Sequence, residues 1–273
     1  MINISVIPPQ IIFIIGALGI PLFRERFKKI YLLTLPVIAF INLLYIHEGM
    51  RWTFNLMGYE LGIYVDGLNL VFGYIFTIMS FAAIIYALNE KEDGQYMAAF
   101  IYVGSALGVV FSGDLFSLLI FWELMAISSL FLILYRKTRA SYKSGFRYLL
   151  VHALSGSCLM AGIAMHIINT GSIEFGFIGL NDLSSMLIFL AFIINAAIPP
   201  LHAWLTDAYP EATIAGTLFL SIYTTKTAVY VLARAFPGAE ILIILGAIMT
   251  IYPCLLYTSP SPRDLSTYRM PSS

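Results

Sequence analysis

Long apolar runs separated by short polar segments dominate this chain. Nine of them approach or reach the about 20 residues that an α-helix needs to cross a bilayer. Their predicted bounds are 4–22, 30–46, 66–88, 96–112, 115–135, 147–168, 183–205, 213–235 and 239–257. The stretch 47–65 instead alternates polar and apolar residues, which predicts a short external β-hairpin. The pattern therefore predicts an all-α, polytopic membrane protein with about nine transmembrane helices.

The basic residues are concentrated on alternate loops. The loops after the first, third, fifth and seventh spans hold ten lysines and arginines, whereas the opposite loops hold only Arg51 and Arg234. Cytoplasmic loops carry the basic excess, so we expect an external N-terminus and a multi-pass protein of the cell inner (plasma) membrane. The first apolar run has no basic n-region and no small-residue cleavage site, which favours a retained helix over a signal peptide.

Composition excludes several classes of function. Hydrophobic residues make up 60% of the chain and charged residues 11%, and the mean hydropathy is +0.87, unlike a soluble domain. The chain has no basic patch for a nucleic acid. Cys158 and Cys254 are far apart in apolar stretches and predict neither a disulfide framework nor a metal site. Phosphate-loop, dinucleotide-binding and zinc motifs are absent from the sequence, so no cofactor is predicted.

Three ionisable residues fall inside predicted spans: Glu123 in the fifth, Lys226 in the eighth and His152 in the sixth. A charge at the bilayer centre costs about 2.5–3.5 kcal/mol even on insertion scales, so each needs a partner, a wet cavity or a function. Glu123 and Lys226 could form a buried pair that only holds helices together. They could also form a proton-linked pair, because burial makes their protonation sensitive to neighbouring charge. His152 and His166 are ordinary hydrogen-bonded histidines or proton relays.

The seventh span contains Pro199 and Pro200 within an apolar run. Proline lacks the N–H that a helix interior needs, so a break or a kink is predicted here. Broken helices recur at ion sites of transporters, and Asn195 and His202 flank this one. We therefore expect a polar cavity at the break, with a simple packing kink as the alternative.

From Ser259 the chain changes abruptly to a string rich in proline and serine. It is either a disordered tail or a non-native polar segment at the end of a truncated gene. On the second interpretation the natural protein continues beyond the ninth span.

Four strings carry a resemblance to a known family: Gly62–Leu70, Asp114–Met125, Pro200–Ala212 and Lys226–Leu232. Over residues 1–253 the chain resembles the N-terminal part of the antiporter-like subunits shared by Mrp-type Na⁺/H⁺ antiporters, complex I and membrane-bound hydrogenases. The resemblance implies that the fourth to eighth helices form one proton half-channel, with Glu123 as its key carboxylate and Lys226 as its central lysine. The family usually has a lysine where this chain has Asn195, and its second, inverted half is missing here.

These features together predict a proton- or cation-translocating subunit, most consistent with the D-type subunit of a Na⁺/H⁺ antiporter. Its expected partners are other integral membrane subunits, protons and, on the antiporter interpretation, Na⁺. One alternative is the proton-pumping part of a redox-driven NADH:quinone oxidoreductase or hydrogenase complex, and another is a membrane scaffold. The predicted division is 1–95 for three helices and the hairpin, 96–235 for the half-channel repeat, 236–257 for the truncated start of the next repeat, and 258–273 for the tail.

Overall fold

The computed structural model describes residues 6–56 and 59–258, and almost all of its regular structure is helical. The predicted tail falls outside this part of the chain from residue 259 onward. The helices and strands, in chain order, are α1 (Pro9–Gly19), α2 (Glu25–Leu44), β1 (Arg51–Leu56), β2 (Tyr59–Tyr64), α3 (Gly67–Ala87), α4 (Asp93–Phe111), α5 (Leu115–Leu134), α6 (Arg139–Thr170), α7 (Leu183–Asn195), α8 (Ala203–Ala208), α9 (Ile214–Ile222), α10 (Thr224–Ala235) and α11 (Glu240–Thr258).

Helix α4 lies at the centre of the bundle. In its candidate membrane-spanning stretch, 83% of the residues are buried inside the protein, against 28% in that of α2. Small residues make this position possible, because a β-carbon at Gly104 would approach the backbone oxygen of Gln10 on α1 to 3.0 Å. Helices in membranes pack closely where small residues let their backbones meet. The outer helices can therefore surround α4 and present their apolar faces to lipid.

Short polar side chains at the boundaries of the apolar runs begin five of the helices. In each case the N-cap side chain accepts a hydrogen bond from the backbone N–H three residues later. The capping residues are Asp66, Asp114, Thr138, Asp182 and Thr213. Such a cap satisfies one of the free N–H groups of the first turn, which water cannot reach at a buried helix end.

The predicted hairpin is present. Strands β1 and β2 pair antiparallel, from Arg51 opposite Tyr64 to Leu56 opposite Tyr59. It packs against the neighbouring loops, since Ile63 forms a β-bridge with Ser112 and the Gly113 N–H donates to the Gly62 carbonyl at 2.9 Å.

The loops segregate to two ends of the bundle, as the alternation of basic residues predicts. The hairpin end contains the hairpin and the segments 112–114, 171–182 and 236–239, which are joined by backbone hydrogen bonds such as Leu115 N–H to Ile173 O at 2.8 Å. The basic end contains the segments 88–92, 135–138 and 209–213, where Lys28 pairs with Asp93 at 2.6 Å. Which end faces the cytoplasm stays a prediction.

The predicted count of nine spans is not confirmed, since five helices of the described chain, α2 to α6, are long and apolar enough to span a membrane. Two details of the predicted segmentation are corrected by the structure. Helix α6 begins at Arg139 rather than at 147, because Thr138 caps it, which places Lys143 and Arg147 on the helix. The predicted continuous span 213–235 is broken at Tyr223, which ends α9 and precedes α10.

Candidate functional site

Glu123 lies near the middle of α5, and its side chain faces α6. Asp114 fixes the start of α5 by accepting hydrogen bonds from the Ser117 N–H and hydroxyl, both at 2.7 Å. The Glu123 carboxylate is half-buried and lies against Gly156, in the space that a β-carbon there would fill. Glycine at this position of α6 therefore admits a carboxylate between two membrane helices.

His152 lies one helical turn before Gly156 and on the same face of α6, with 2% of its surface exposed. Its ring packs against Tyr148 at a centroid distance of 4.1 Å, tilted by 35°, and meets Trp204 edge-on at 4.8 Å. Neither ring nitrogen has a hydrogen-bond partner within residues 6–56 and 59–258. Buried polar atoms are rarely left without a hydrogen bond in proteins, so we expect ordered water to bind the ring nitrogens of His152.

The seventh predicted span is broken where the prolines predict it. Helix α7 ends at Asn195, Pro199 and Pro200 lie in the turn that follows, and α8 begins at Ala203. The Trp204 indole N–H donates to the Ile194 carbonyl at 2.9 Å, which ties the start of α8 to the end of α7. The interruption is therefore an ordered part of the fold.

Asn195 is fully buried at the last residue of α7. Neither its side-chain oxygen nor its nitrogen has a partner in the part of the chain that the structure describes. Amide groups buried in this way normally bind water or another polar group. Asn195 thus adds a second unsatisfied polar side chain, on the helix next to α6.

A cavity of about 320 Å³ opens at the α7 break, and His202 lines it together with Thr206, Thr225 and Tyr252. The His202 Nε2 atom lies 3.0 Å from the Tyr252 hydroxyl of α11. The other lining residues are apolar: Ala196, Ala197, Pro199, Leu205 and Met249. The expected cavity therefore reaches His202 but not Asn195, and it is less polar than predicted.

Lys226 is exposed on α10, whereas the sequence predicts a buried position. Its Nζ atom donates to the Ser221 carbonyl at 2.5 Å, across the break between α9 and α10. No ion pair joins Glu123 and Lys226 within the described ranges, so the structure does not bring the two predicted charges together. The predicted site residues are therefore dispersed: Glu123 and His152 lie near Gly156 on α5 and α6, Asn195 ends α7, His202 lines the cavity at the α7 break, and Lys226 lies on α10.

The break at Tyr223 was not predicted from the sequence. It contains neither proline nor glycine, and its only signal is the polar run Thr224–Thr227 inside an apolar span. Thr224 and Thr227 are buried, and the Thr227 hydroxyl has no partner among the described residues. Two interrupted helices, α7–α8 and α9–α10, thus lie side by side next to α4, α5 and α6.

A second cavity, of about 560 Å³, lies at the hairpin end. Arg51 and Arg234, the two basic residues of that end, both line it, with Glu60 and Glu174. Arg234 binds Asp66 at 2.7 Å and the Tyr230 hydroxyl at 2.9 Å, which fixes its guanidinium group beside the hairpin. Asp114 lines this cavity as well, so its lining carries three acidic side chains and two basic ones and is slightly acidic.

Comparison with known proteins agrees with this architecture. The family described as NADH:quinone oxidoreductase/Mrp antiporter, TM, matches residues 112–257. The Na⁺/H⁺ antiporter subunit A1 of Staphylococcus haemolyticus (strain JCSC1435) is 27% identical over 267 residues, covering 87% of this chain and 33% of that protein. The chain therefore spans about a third of the length of this relative.

Two solved structures share the fold. A chain of the Mrp complex from Dietzia sp. DQ12-45-1b superposes with a TM-score of 0.77 at 22% identity, covering 87% of this chain and 29% of that one. A chain of respiratory complex I from Thermus thermophilus superposes with a TM-score of 0.75 at 20% identity, covering 94% and 60%. The predicted all-helical membrane fold is confirmed. Since the family match covers more than half of its residues, the chain belongs to the NADH:quinone oxidoreductase/Mrp antiporter transmembrane family.

Proposed function

We propose that this chain is a proton- and cation-translocating subunit of a multisubunit membrane complex. The observation that supports this most directly is the Glu123 carboxylate, half-buried in mid-helix against Gly156, with no ion pair to a Lys or Arg of the described chain. A carboxylate at this depth is costly unless it exchanges protons or binds a cation. His152, one turn from Gly156 on α6, supplies a second group that can bind and release a proton.

The antiporter is the favoured form of this function. One relative is a Na⁺/H⁺ antiporter subunit A1, whereas the sequence analysis expects a D-type subunit, so the type stays a prediction. We place the chain in the inner (plasma) membrane with its N-terminus outside and its basic end in the cytoplasm. The half-channel repeat predicted over 96–235 would consist of α4, which begins slightly earlier at Asp93, and the helices up to α10. Other integral membrane subunits would complete the complex.

A redox-driven pump is the second candidate, since the same fold occurs in complex I. In that case electron transfer in other subunits would drive the movement of protons through this chain. The two candidates differ in what energises transport: an antiporter moves protons on a Na⁺ gradient alone, whereas a pump needs an electron donor.

Transport in inverted membrane vesicles, made from cells that express the complete gene cluster, tests both candidates. We expect Na⁺ addition to collapse a preformed pH gradient in the wild type, and Glu123→Gln to abolish this while the complex still assembles. The amide keeps the size of the carboxylic acid but cannot carry the proton-linked charge. Transport that appears only with an electron donor would favour the pump. Normal transport in a well-assembled Glu123→Gln complex would contradict the proposed role of Glu123 and favour the interpretation of this chain as a membrane scaffold.

A further inference from the structure

Helix α6 is longer than the hydrocarbon core of a bilayer is thick. Its 32 residues, Arg139–Thr170, extend over about 48 Å at 1.5 Å per residue, whereas the hydrocarbon core measures about 30 Å. The helix begins at the basic end, and its first two turns carry Arg139, Lys143 and Arg147. These charges place the first two turns outside the core, at the depth of the lipid headgroups.

The three basic side chains lie on one face of α6. They are spaced four residues apart, which places them one above another along the helix, and all three are exposed. Arg147 donates two hydrogen bonds to the Asp207 carboxylate, at 2.6 and 2.7 Å. Arg139 and Lys143 make no ion pair within residues 6–56 and 59–258. Two positive charges on this face are therefore available to a ligand.

A cavity of about 470 Å³ opens beside these charges, between α6 and the segment that ends α8 and follows it. Arg136 lies next to the cavity, since its guanidinium group donates to the carbonyl of Pro210, a lining residue. Six charged side chains lie in the cavity lining or beside it: Arg136, Arg139, Lys143, Arg147, Asp207 and Glu211. Four are basic and two acidic, so the region has a formal charge of +2 and is complementary to an anionic group.

Farther along the helix, the same face of α6 is apolar. Phe146, Leu150 and Leu154 follow at four-residue spacing and are 60%, 54% and 59% exposed. From Lys143 to Leu154 the helix rises about 16 Å, which is close to half of the hydrocarbon core, the depth of one lipid leaflet. The face thus presents positive charge at headgroup depth and apolar side chains over the depth of one set of acyl chains.

We propose that this face of α6 and the adjacent cavity form a binding site for an anionic phospholipid. Arg139 and Lys143 would donate hydrogen bonds to the phosphate oxygens, and the acyl chains would lie along Phe146, Leu150 and Leu154. Basic pockets at the cytoplasmic ends of membrane helices bind anionic headgroups, and this is the end that we place in the cytoplasm. An apolar helix of another subunit fits the face less well, because it would leave both charges without a partner.

The purified complex, freed of lipid in detergent, provides the test. Native mass spectrometry would follow the binding of phosphatidylglycerol, of phosphatidylcholine with the same acyl chains, and of glycerol 3-phosphate. We expect phosphatidylglycerol to bind at least tenfold more tightly than phosphatidylcholine, and glycerol 3-phosphate not to bind. Arg139→Gln combined with Lys143→Gln should weaken phosphatidylglycerol binding by about thirtyfold, the effect of two basic residues near an anionic surface. Added salt should reduce this difference.

Lys29→Gln combined with Lys91→Gln is the matched control. It removes the same charge from two exposed residues of the basic end that are not on α6, so it should change the affinity less than threefold. Equal losses in the two double variants would show a general attraction to the basic end and overturn the site. Unchanged affinity in the α6 variant would also overturn it and favour coverage of this face by another subunit. Tight binding of glycerol 3-phosphate would instead assign the site to a soluble phosphate ester.

Discussion

The carboxylate of Glu123 on α5 lies directly over the backbone of Gly156 on α6, where any larger residue would displace it. Both residues are therefore needed to place one acidic group between the two helices. Glycine is otherwise unfavourable in a helix interior, by roughly 0.5–1 kcal/mol relative to alanine. The presence of Gly156 at this contact is therefore better explained by the position of the Glu123 carboxylate than by the stability of α6.

We expect Gly156→Ala to fold normally but to lower proton transport by tenfold to about a hundredfold, as small misplacements of a reacting group can do. The new methyl group pushes away a flexible carboxylate, so the fold itself should not suffer. Transport and thermal unfolding of the purified complex provide the two measurements. Gly145→Ala is the control on the same helix, where the nearest atoms to the methyl group would belong to the side chains of Leu134 and Leu130. Equal transport in both variants would contradict the proposed role of the contact.

Substitutions of Lys226 test whether a permanent positive charge beside the helix break is enough for transport. Lys226→Ala should stop transport, because it removes the charge that the Ser221 carbonyl binds. Lys226→Arg should keep the fold and lose proton-linked switching, because arginine stays charged at every accessible pH. The pH dependence of transport in the two variants provides the measurement. A transport rate of Lys226→Arg close to that of the wild type would show that the residue supplies a permanent charge and does not exchange a proton.

Trp204 holds the α7 break together, so Trp204→Phe should lower the free energy of unfolding by about 1–3 kcal/mol. The substitution keeps an aromatic ring but removes the indole donor, so the Ile194 carbonyl keeps only the weaker bond from the Ala197 N–H at 3.1 Å. Trp52→Phe is the control, since Trp52 makes the same kind of bond, to the Val6 carbonyl at 3.1 Å, at a partly exposed position where water can replace it. Denaturant unfolding in detergent should show the larger loss for Trp204→Phe. A larger loss for Trp52→Phe would show that the break is not held by this bond.

Asp207 at the basic end should make stability depend on pH. Its hydrogen bonds with Arg147 lower the pKa of its carboxyl below the ordinary value of 3.8. A group with a lowered pKa adds stability above its unfolded pKa and loses it as the pH falls through its folded pKa. Asp207→Asn should therefore melt a few degrees below wild type at neutral pH, and the difference should shrink below about pH 4. Glu92→Gln, in an exposed pair with Lys137, should change little; equal shifts in both would contradict this.

The sequence predicts the membrane fold, the hairpin and the α7 break because each depends on a local signal. Apolar runs of bilayer length, alternation across 47–65, and the pair Pro199–Pro200 are read directly from neighbouring residues. The Tyr223 break has no such signal, since threonines and a lysine replace the usual proline or glycine. It depends on contacts with distant residues, such as Tyr102, whose hydroxyl accepts from the Thr224 N–H.

The site is predicted less completely than the fold. Composition singles out Glu123, Lys226 and His152 because charges and histidines are rare inside apolar runs. Tyr148 and Tyr102 have no such distinction, because aromatic residues make up 15% of the chain and most of them pack in the core or face lipid. The direction in which Lys226 points also depends on where α9 stops, so its exposure could not be read from spacing alone.

Backbone hydrogen bonds join the loops at the hairpin end, which also holds the Arg234–Asp66 ion pair, whereas three of the described ion pairs lie at the basic end. At the hairpin end, backbone bonds such as Phe175 N–H to Gly113 O at 3.0 Å and Ile178 N–H to Ala235 O at 2.8 Å join the loops into one unit. At the basic end, side-chain ion pairs such as Lys137 with Glu92 join the helices, and dissolved salt screens such pairs. We therefore expect the helices to separate first at the basic end, and to do so more readily as the ionic strength rises.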